Sequence, residues 1–466
     1  MSKNTGRRMV RRDFLRFALA GGLGTGLVSV LAACQSPAAP AATTAPKATE
    51  APKPAAPAAT TAPAAQPTQA PGQSGAAKVN LSLWHIWSGK LEETMKAHVA
   101  DFNASQSQIT VNLTAVPLAD VWPKILTAVA AGSPPDTYSS SAMIRPELIK
   151  DKAVEDLNKY GKRPELFQAF DVPTTFQGGW YGVPMNGGLW TMCYNEDLFK
   201  KAGLDPAKGP QIWDDLVELG KKLTVPADNQ FGLVLPNKPI PWTCEIWYGF
   251  LLQAGGDFLT PDNSAAAFNS EAGAKALQFY VDLHHTHKVA SLASMDSAGV
   301  QSAYGTGKVG IWTMYPVNTG SIAALNFKSR NVPAAKGVKQ GTHFAGTHMP
   351  MMSGGKNKES VWKFFEWWMK PENNAKWCAN TGGLPIMKAV TETQVYKEYL
   401  VKQPLAQAYI DSASFAKPLP LVIGISEMEQ AVAEAVEACV IAKAPVKATL
   451  DAAAAKVNDV IKKYKT

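Results

Sequence analysis

An alternation of strand-like and helix-like segments constrains the fold of this sequence more than any other feature. Residues 81–87 form an apolar strand pattern, and residues 91–102 place apolar side chains at helical spacing. Residues 109–115 alternate as a second strand, and a second helical face over residues 121–129 ends at Gly132. Strand, helix, strand, helix in this order predicts a parallel sheet with right-handed crossovers.

Two loops follow strands of this predicted sheet. Ligands of such sheets bind beyond the carboxyl ends of the strands. This rule selects residues 87–89, after the first strand, and residues 136–141, which follow a Pro-Pro pair. Residues 78–466 are too many for one simple core, so the sequence predicts two α/β lobes.

The stretch from residue 178 to residue 224 predicts a turn, an extended run, a short helix, a proline-bearing loop and a longer helix. Asn195 is placed to cap the short helix and Gly203 to end it. A YG-P turn, then YN-DLF-KAGL, then P-W-DL resembles the signature of extracellular solute-binding proteins of sugar-importing ABC transporters. The resemblance implies a two-lobed α/β fold of the type II periplasmic-binding-protein kind, each lobe a mostly parallel sheet flanked by helices.

The resemblance continues over nearly the whole body. Six further motifs fall in family order: AAGSPPD at 130–136, LQAGG at 252–256, FNS at 268–270, GKVG at 307–310, SVWKFF at 360–365 and TGGLP at 381–385. The family pattern implies that the chain crosses between lobes near Asn186 and near Ala345–Gly346, with a third crossing around Ala389. The expected N-terminal lobe is 78–186 with 346–388, and the expected C-terminal lobe is 187–345 with 389–466. Such discontinuous lobes suit hinge closure on a ligand.

The N-terminus predicts export. Arg11 and Arg12 precede an apolar run over residues 17–31, which ends in Leu-Ala-Ala-Cys at Cys34. A basic start, a short apolar core and small residues predict a secretory signal over residues 1–33. The paired arginines resemble a twin-arginine signal, and the ending resembles a lipobox in which Cys34 receives a lipid. An ordinary secretory signal with an incidental cysteine is the alternative.

Residues 34–77 combine the predicted lipidated cysteine with a segment rich in Ala, Pro and Thr. This composition cannot bury enough apolar surface to offset chain entropy, so it predicts a disordered, partly extended tether. The formal net charge is +8, but six basic residues and one acidic residue of the leader supply +5 of it. The remaining +3 argues against a nucleic-acid-binding surface.

The candidate site combines aromatic and polar side chains, because a sugar presents apolar C–H faces and a rim of hydroxyls. The aromatic candidates are Trp87, Trp190, Trp242 and Tyr315. The other candidates are Ser88, Asp136, Ser139, Asn186, Glu245, Gly346, Thr347 and His348. Together these residues form the predicted ligand-binding set.

Structural explanations stand beside several of these candidates. Trp84 and Trp87 should face opposite sides of the first strand, and Trp87, next to the loop, is preferred over Trp84. Core packing explains any single aromatic candidate as well as ligand contact does. Asp136 suits two sugar hydroxyls but equally suits a turn after Pro-Pro. Gly346 resembles the family glycine at the second crossing, where a side chain would block close approach of ligand.

Arginine usage favours a neutral ligand. Beyond the leader only Arg145, Arg163 and Arg330 occur, and none lies in a segment predicted to line the cleft. Phosphate and carboxylate groups are usually recognised by a bidentate arginine. A neutral sugar is therefore favoured over glycerol phosphate, with Lys417 as the alternative anion-binding residue.

Other chemistries have weaker support. Residues 284–287, HHTH, suggest a metal site, but a helix end without nearby Cys or carboxylate clusters favours a solvated terminus. The four cysteines beyond the leader are not spaced like metal ligands, and we expect buried free thiols in preference to one disulfide bridge. They are Cys193, Cys244, Cys378 and Cys439. No metal or cofactor is predicted. The sequence has no nucleophile elbow, phosphate-binding loop or dinucleotide-binding fingerprint in a suitable strand and helix context, so it does not predict an enzyme.

The sequence therefore predicts a lipid-anchored extracytoplasmic receptor. It would capture a sugar, an oligosaccharide in particular, in the cleft between its lobes and deliver it as a monomer to an ABC permease. Three alternatives remain at this stage. The first is a receptor of the same fold for glycerol phosphate, a metal or another charged solute. The second is a surface carbohydrate-active enzyme, and the third is an adhesive lectin that does not close.

Overall fold

The secondary structure is taken from a computed structural model that describes residues 78–142 and 145–464. The predicted signal with Arg11 and Arg12, and the predicted tether with Cys34, lie outside the described residues. The strands are β1 (Val79–His85), β2 (Ile109–Ala115), β3 (Thr137–Tyr138), β4 (Ser140–Ala142), β5 (Thr175–Phe176), β6 (Gly179–Trp180), β7 (Val183–Leu189), β8 (Thr191–Asn195), β9 (Phe231–Val234), β10 (Val309–Met314), β11 (Ser329–Val332), β12 (Thr342–Met349) and β13 (Ala416–Lys417). 

The α-helices connect these strands and cover the sheets. They are α1 (Gly89–Ser105), α2 (Leu118–Ala130), α3 (Pro146–Lys150), α4 (Asp171–Thr174), α5 (Glu196–Lys201), α6 (Trp213–Leu223), α7 (Pro241–Gln253), α8 (Glu271–His284), α9 (Ser297–Gly305), α10 (Thr319–Ala323), α11 (Lys358–Met369), α12 (Pro371–Thr381), α13 (Lys388–Thr391), α14 (Gln394–Lys402), α15 (Gln407–Ser412), α16 (Ile425–Val440) and α17 (Val446–Tyr464).

The first sheet has the strand order β2-β1-β3, and both pairings are parallel. The strand and helix pattern of the sequence predicted this arrangement, and the structure confirms it. β1 lies two residues closer to the N-terminus than the predicted strand at residues 81–87. It ends at His85, and the amide of Ile86 donates to the Ser139 side chain. Trp87 consequently lies in the loop before α1 and not on the strand.

β7 and β12 form an antiparallel pair in the middle of the described chain. Gly346 faces Gly187 and Thr347 faces Asn186 across this pair. β12 also pairs with β4, antiparallel, and with β13, parallel. The predicted crossing positions at Asn186 and Ala345–Gly346 thus lie in two long strands that are hydrogen-bonded to each other, whereas Ala389, the third, lies in the short helix α13.

The second sheet has the order β11-β8-β10-β9. β8 runs antiparallel to both β10 and β11, whereas β10 and β9 are parallel. The expectation of a mostly parallel sheet is therefore wrong for this sheet. The chain enters this sheet from β7 through Trp190, and β8 then runs opposite to both of its neighbours, which come from much later in the chain.

Local signals around β8 form as the sequence predicted. The Asn195 side chain accepts hydrogen bonds from the amides of Asp197 and Leu198 at 2.9 and 3.1 Å, and so caps α5. Gly203 follows that helix with φ of +71°, a conformation that suits glycine. 

Two large apolar cores support these sheets. One joins α7, α8, α16 and α17, and in it α7 and α16 pack against each other. The other contains the helix pair α11–α12 and includes a group of rings that we call the tryptophan cluster: Trp87, His98, Trp367, Trp368 and Trp377. Trp368 and Trp377 are completely buried, with ring centroids 5.1 Å apart.

Candidate functional site

The predicted residues of the crossing strands lie beside one another. The side chain of Asn186 accepts a hydrogen bond of 3.1 Å from the indole N–H of Trp377, and Thr347 opposite it is buried. A Cβ atom at Gly346 would lie 3.3 Å from the carbonyl oxygen of Asn186. Glycine at this position therefore allows close packing of the two strands. The sequence analysis had instead explained this glycine by the close approach of a ligand.

Asp136 and Ser139 connect β1 to the segment that contains β3. The Asp136 carboxylate accepts from the amide and hydroxyl of Ser82 at 2.8 and 2.9 Å. The Ser139 hydroxyl is fully buried and accepts from the amide of Ile86 at 3.2 Å. Both side chains therefore have a structural partner, whereas Ser88 is exposed and makes no capping bond at the start of α1.

Two tryptophans flank the end of β1 and pack in different places. Trp87 lies 5.9 Å from Trp377 between ring centroids, as part of the tryptophan cluster. Trp84 is partly buried in a smaller core that contains Tyr138 and is bordered by Trp122. The preferred candidate of this pair, Trp87, thus packs in the helical core, whereas Trp84 packs against the smaller core.

Trp190 is a core residue in this structure. Its side chain is 0% exposed, and its ring lies 5.5 Å from that of Phe250 on α7. A Cβ at Gly249 would fall within 2.2 Å of the Trp190 ring, which shows how closely helix and indole pack. The short connection from β7 to β8 turns this side chain under α7 and away from solvent.

Three predicted residues come together at the start of α7. Trp242 and Glu245 are three positions apart, so they lie on one helix face, and Tyr315 follows the end of β10. The rings of Trp242 and Tyr315 are 6.4 Å apart. The Tyr315 hydroxyl lies 3.3 Å from Nδ1 of His343, and the Glu245 carboxylate lies 3.9 Å from the same atom.

Glu429 belongs to this group, because its charge acts on Tyr315 and the charge of Glu245 acts on it. The sequence analysis did not select it. It lies on α16, which packs against α7, and is only 8% exposed. Its position follows Ile425 by four residues and precedes Val436 by seven, so it occupies the buried apolar stripe of α16. A carboxylate on such a stripe was the available signal. We call Trp242, Glu245, Tyr315, His343 and Glu429 the carboxylate floor.

Arg145 was also missed, because it was judged to lie outside the cleft segments. Its guanidinium donates to the hydroxyl of Ser426, one helical turn before Glu429, at 2.6 Å. The same guanidinium lies 4.9 Å from the ring of Trp122. Next to it, the Glu147 carboxylate accepts from the amide of Gly424 at 3.2 Å. Residues that precede the crossing strands thus contact the start of α16.

Burial dominates the electrostatics of the floor. It raises the pKa of Glu245 above its ordinary range and raises the pKa of Glu429 well above it, with the charge of Glu245 adding to the effect on Glu429. Arg145 opposes this rise at Glu429. Burial lowers the pKa of His343 to about 3, so His343 is neutral at pH 7 and does not neutralise Glu245.

His348, another predicted residue, is buried without a polar partner. It is 1% exposed, and neither ring nitrogen makes a hydrogen bond to any described residue. The hydroxyl of Tyr138, 2% exposed, is likewise unpaired within the described chain. Burial, with a smaller effect from the positive charge of Arg145, lowers the pKa of His348 to about 3.

Two surface cavities lie away from the floor. One, of about 650 Å³, is lined by residues 417–423, and there Lys417 pairs with Asp257. The other, of about 1070 Å³, includes His284 and His285. Within the described residues no group of three His, Cys, Asp or Glu side chains could bind a metal, and these two imidazoles contact backbone carbonyls.

The four cysteines of the described chain are all free and buried: Cys193, Cys244, Cys378 and Cys439. The favoured prediction of buried thiols agrees with this. In the same part of the chain, residues 78–142 and 145–464, no helix is both long and apolar enough to cross a membrane.

Known proteins resemble this chain over most of its length. It is 25% identical over 383 residues to a binding protein of Brucella abortus (strain 2308), covering 80% of this chain and 90% of the relative. It is 23% identical to the sn-glycerol-3-phosphate-binding periplasmic protein UgpB of Escherichia coli (strain K12), covering 83% and 94%. The crystal structure of the cyclic alpha-maltosyl-1,6-maltose binding protein of Arthrobacter globiformis superposes with a TM-score of 0.74 at 26% identity, covering 83% of this chain and 100% of that one.

These similarities establish the fold class as the two-lobed type II periplasmic-binding-protein fold. The sequence profile described as bacterial extracellular solute-binding protein matches residues 88–375, which is more than half of the chain. The chain therefore belongs to the bacterial extracellular solute-binding proteins, a family of binding proteins.

Proposed function

We propose that this protein is a lipid-anchored extracytoplasmic receptor that binds a sugar and delivers it to an ABC import permease. The observation that supports this most is the carboxylate floor, where an aromatic pair, Trp242 and Tyr315, lies beside a buried carboxylate, Glu245. Aromatic rings suit the apolar faces of a sugar, and convergent polar groups suit its hydroxyls. Membership of a solute-binding family and similarity to a maltosyl-maltose binder agree with this function.

The proposed lobes follow the two sheets. The N-terminal lobe comprises residues 78–186 and 346–388, and the C-terminal lobe comprises residues 187–345 and 389–466. The first sheet is built from chain before residue 139 and the second from chain between residues 191 and 332, which supports this division. The pair β7–β12 is then the connection about which the lobes move.

Contacts across the floor suggest how closure occurs. Arg145 and Glu147 lie in the proposed N-terminal lobe, and they bind Ser426 and Gly424 of the proposed C-terminal lobe. A ligand that touches both sides favours the closed state over the open state by its difference in affinity for the two. The permease would then recognise the closed shape.

The proposed binding residues fall into two groups. Direct contact is proposed for three residues of the floor, for the exposed Ser88, and for His348, whose ring nitrogens have no partner among the described residues; the three floor residues are Trp242, Glu245 and Tyr315. Support of the site is proposed for residues whose side chains have structural partners or lie in the cores: Trp87, Asp136, Ser139, Asn186, Trp190, Gly346 and Thr347.

Location is proposed from the leader. The leader with Arg11 and Arg12 would direct export, and Cys34 would accept the lipid that keeps the protein at the outer face of the membrane. Replacing Cys34 by Ser should move the protein from the membrane fraction to the soluble fraction and abolish labelling by an alkyne fatty acid. Retention of both properties would refute lipidation at Cys34.

A charged solute is the second candidate, and Arg145 is the observation that favours it. Its guanidinium binds Ser426 on α16 and its positive charge acts on Glu429, although the sequence analysis did not select it. UgpB, which binds sn-glycerol 3-phosphate, is among the relatives. A carbohydrate-active enzyme is the candidate of another class, and we propose no catalytic residue, metal or cofactor for this monomer.

A thermal-shift screen of residues 35–466 tests the receptor function. The panel contains mono- and oligosaccharides, glycerol phosphate, choline and divalent metals. A ligand at one hundred times its Kd should add about 2.7 kcal/mol of stability. Stabilisation by a sugar that Trp242→Ala removes is the expected result, with Trp367→Ala, in the tryptophan cluster, as the matched variant outside the floor.

Two results would contradict parts of this function. Stabilisation by glycerol phosphate alone would transfer the assignment to a charged solute and retain the receptor. Release of reducing sugar from a bound oligosaccharide would replace the receptor by an enzyme. X-ray scattering adds a separate check, because a receptor compacts on binding and an adhesive lectin does not.

A further inference from the structure

We propose that the solute bound at the carboxylate floor bears a positively charged nitrogen, which Glu245 and Glu429 bind beside the rings of Trp242 and Tyr315. This inference rests on the receptor function proposed above and specifies the chemical class of its ligand. An amino sugar, or a hydroxylated solute with an alkylammonium group, has this chemistry.

The first argument is the burial of two carboxylates on neighbouring helices. Glu245 on α7 has a side chain that is 15% exposed, and Glu429 on α16 is 8% exposed. Within residues 78–142 and 145–464, Glu429 has neither a hydrogen-bond donor nor a cation at ion-pair distance. Burying a charge without a partner is costly, so a carboxylate in such a position calls for a partner that arrives from outside.

The second argument is the balance of charge around the floor. Glu245 and Glu429 lie on two helices that pack together, and a third carboxylate, Glu147, accepts from the amide of Gly424 just before α16 while its other oxygen is buried and unpaired among the described residues. Arg145 is the cation that acts on Glu429, but its hydrogen bond goes to Ser426. 

The remaining neighbours of the floor do not supply positive charge. His343 and His348 are buried, and burial lowers the pKa of each to about 3, so both are neutral at pH 7. Cys244 and Tyr315 are uncharged there, because burial raises the pKa of both. The floor therefore has more acidic groups than basic groups, so it gains negative charge when a cation displaces the protons of Glu245 and Glu429.

The third argument is the aromatic pair itself. A cation near the face of Trp or Tyr is attracted by the ring quadrupole, most strongly where water is excluded. Trp242 and Tyr315 are partly buried, their rings are 6.4 Å apart, and Glu245 lies on the same helix face as Trp242. Rings and carboxylates together are the usual surroundings of a bound ammonium group, whereas a neutral sugar needs only one of the two carboxylates as an acceptor.

The unpaired Tyr138 hydroxyl and the two ring nitrogens of His348 complete the argument. Both residues are at least nine-tenths buried, and Arg145 influences the pKa of both. These groups are free to bond to ligand hydroxyls. The proposed site thus combines neutral hydrogen-bonding groups with two buried carboxyl groups.

Calorimetry with three matched disaccharides tests the proposal. Cellobiose, the β-1,4 dimer of glucosamine and its di-N-acetyl form differ only in the group at carbon 2, which is hydroxyl, ammonium or amide. At pH 6.5 the glucosamine dimer should bind residues 35–466 about tenfold or more tightly than either neutral partner, since charge-assisted hydrogen bonds are about twice as strong as neutral ones. Choline and glycerol are added as a second charged and neutral pair.

Variants connect the preference to the floor. Glu429→Gln and Glu245→Gln should each reduce the preference for the charged member at least several-fold, while Glu434→Gln, an exposed residue of α16 paired with Lys456, should leave it unchanged. Because Gln has the same shape, thermal melting of the ligand-free variants will show that they are folded. Binding of an ammonium group should also release protons from the floor, which makes the heat of binding depend on the buffer.

The outcomes separate the two proposals. Equal or tighter binding of the neutral members, or a preference that both Gln variants retain, overturns the cationic ligand and leaves the sugar receptor intact. Preference for choline over every saccharide supports the cationic site and overturns the sugar assignment. Absence of binding by every member of both sets overturns both proposals.

Discussion

The tryptophan cluster and the carboxylate floor both bury ionisable groups among aromatic rings, yet they differ in how those groups are satisfied. In the cluster, His98 is 4% exposed and its ring lies 4.5 Å from that of Trp368. Burial lowers the pKa of His98 to about 4, so the imidazole is neutral at pH 7. In the floor, Glu245 and Glu429 become neutral only by taking up protons.

This difference separates a structural region from a functional one. A neutral imidazole loses little by burial between indole rings, and the cluster needs no further partner to be stable. A carboxylate without a cation raises the free energy of the folded state until a proton or a ligand arrives. We therefore expect substitutions in the cluster to change stability and substitutions in the floor to change binding.

Trp377→Ala should have the largest effect. Trp377 is completely buried and contacts His98, Trp87 and Trp368, so its removal leaves a cavity that costs about 3–5 kcal/mol. Urea unfolding followed by fluorescence measures the loss. Val401→Ala, at 83% exposure, serves as the control and should change the free energy of unfolding by less than about 0.5 kcal/mol. A loss of similar size in both variants would mean that the cluster is not a core.

Adjacent glycines on β7 sharpen the comparison, because each faces one of the two regions. A Cβ at Gly187 would lie 2.7 Å from the ring of Phe170 and 2.8 Å from that of Phe344, both of the core that contains the cluster. A Cβ at Gly188 would lie 3.4 Å from the Tyr315 ring of the floor, an ordinary contact. Gly187→Ala should therefore destabilise by about 1–3 kcal/mol.

Gly188→Ala is the matched variant for this prediction. It should leave the melting temperature nearly unchanged and alter ligand affinity through Tyr315. Thermal melting and calorimetry on the two variants measure both quantities. The comparison fails if Gly188→Ala melts at the lower temperature of the two.

Much of the fold was accessible from local sequence. The first sheet follows from the period of its apolar residues, and Asn195 caps α5 because its side chain competes for amides one turn ahead. The crossing positions came from the family resemblance and stay predictions; two of them lie in β7 and β12, which pair with each other. The mixed second sheet was missed, because β8 pairs with β10 and β11, which lie more than one hundred residues later, and no local pattern indicates their direction.

The site was predicted less completely, for a physical reason. Trp242, Glu245 and Tyr315 stand close to strand and helix ends, where sequence rules apply. Glu429 joins them only because α16 packs against α7, and no local period indicates a contact between residues so far apart. Trp190 has an aromatic side chain of the kind that stacks on sugars, but the tight connection from β7 to β8 buries it.

Opposite responses to pH provide a third test. Glu245 has an ordinary pKa of 4.5, and burial raises it to about 7 in the folded protein, so the folded state prefers the proton. Its contribution to stability is full below pH 4.5 and is lost as the pH rises through 7. His98 behaves in the opposite way. Burial lowers its pKa from 6.5 to about 4, so its contribution to stability is full above pH 6.5 and is lost as the pH falls from 6.5 through 4.

Gln substitution isolates the carboxylate effect. In the ligand-free protein, Glu245→Gln should be more stable than the parent by an amount that grows to about 1–2 kcal/mol between pH 5 and pH 8. Urea unfolding at several pH values measures the difference, and Glu434→Gln, exposed on α16, should show no such trend. A difference that shrinks as the pH rises would show that Glu245 is ionised and paired in the folded protein.

The smallest effect is expected at the contact between Arg145 and Ser426, which joins the two sides of the floor. Ser426→Ala removes the acceptor of the 2.6 Å hydrogen bond, and a single hydrogen bond contributes about 0.5–1.5 kcal/mol. Ser105→Ala is the control, because its hydroxyl donates to Phe102 within α1, far along the chain from the floor. Both variants should lose a similar, small amount of stability in thermal melting. Only Ser426→Ala should also weaken ligand binding, by several-fold, since a free Arg145 can pair with Glu429 and compete with the ligand for it. Equal affinities in the two variants would mean that Arg145 braces the fold and has no influence on the charge of the floor.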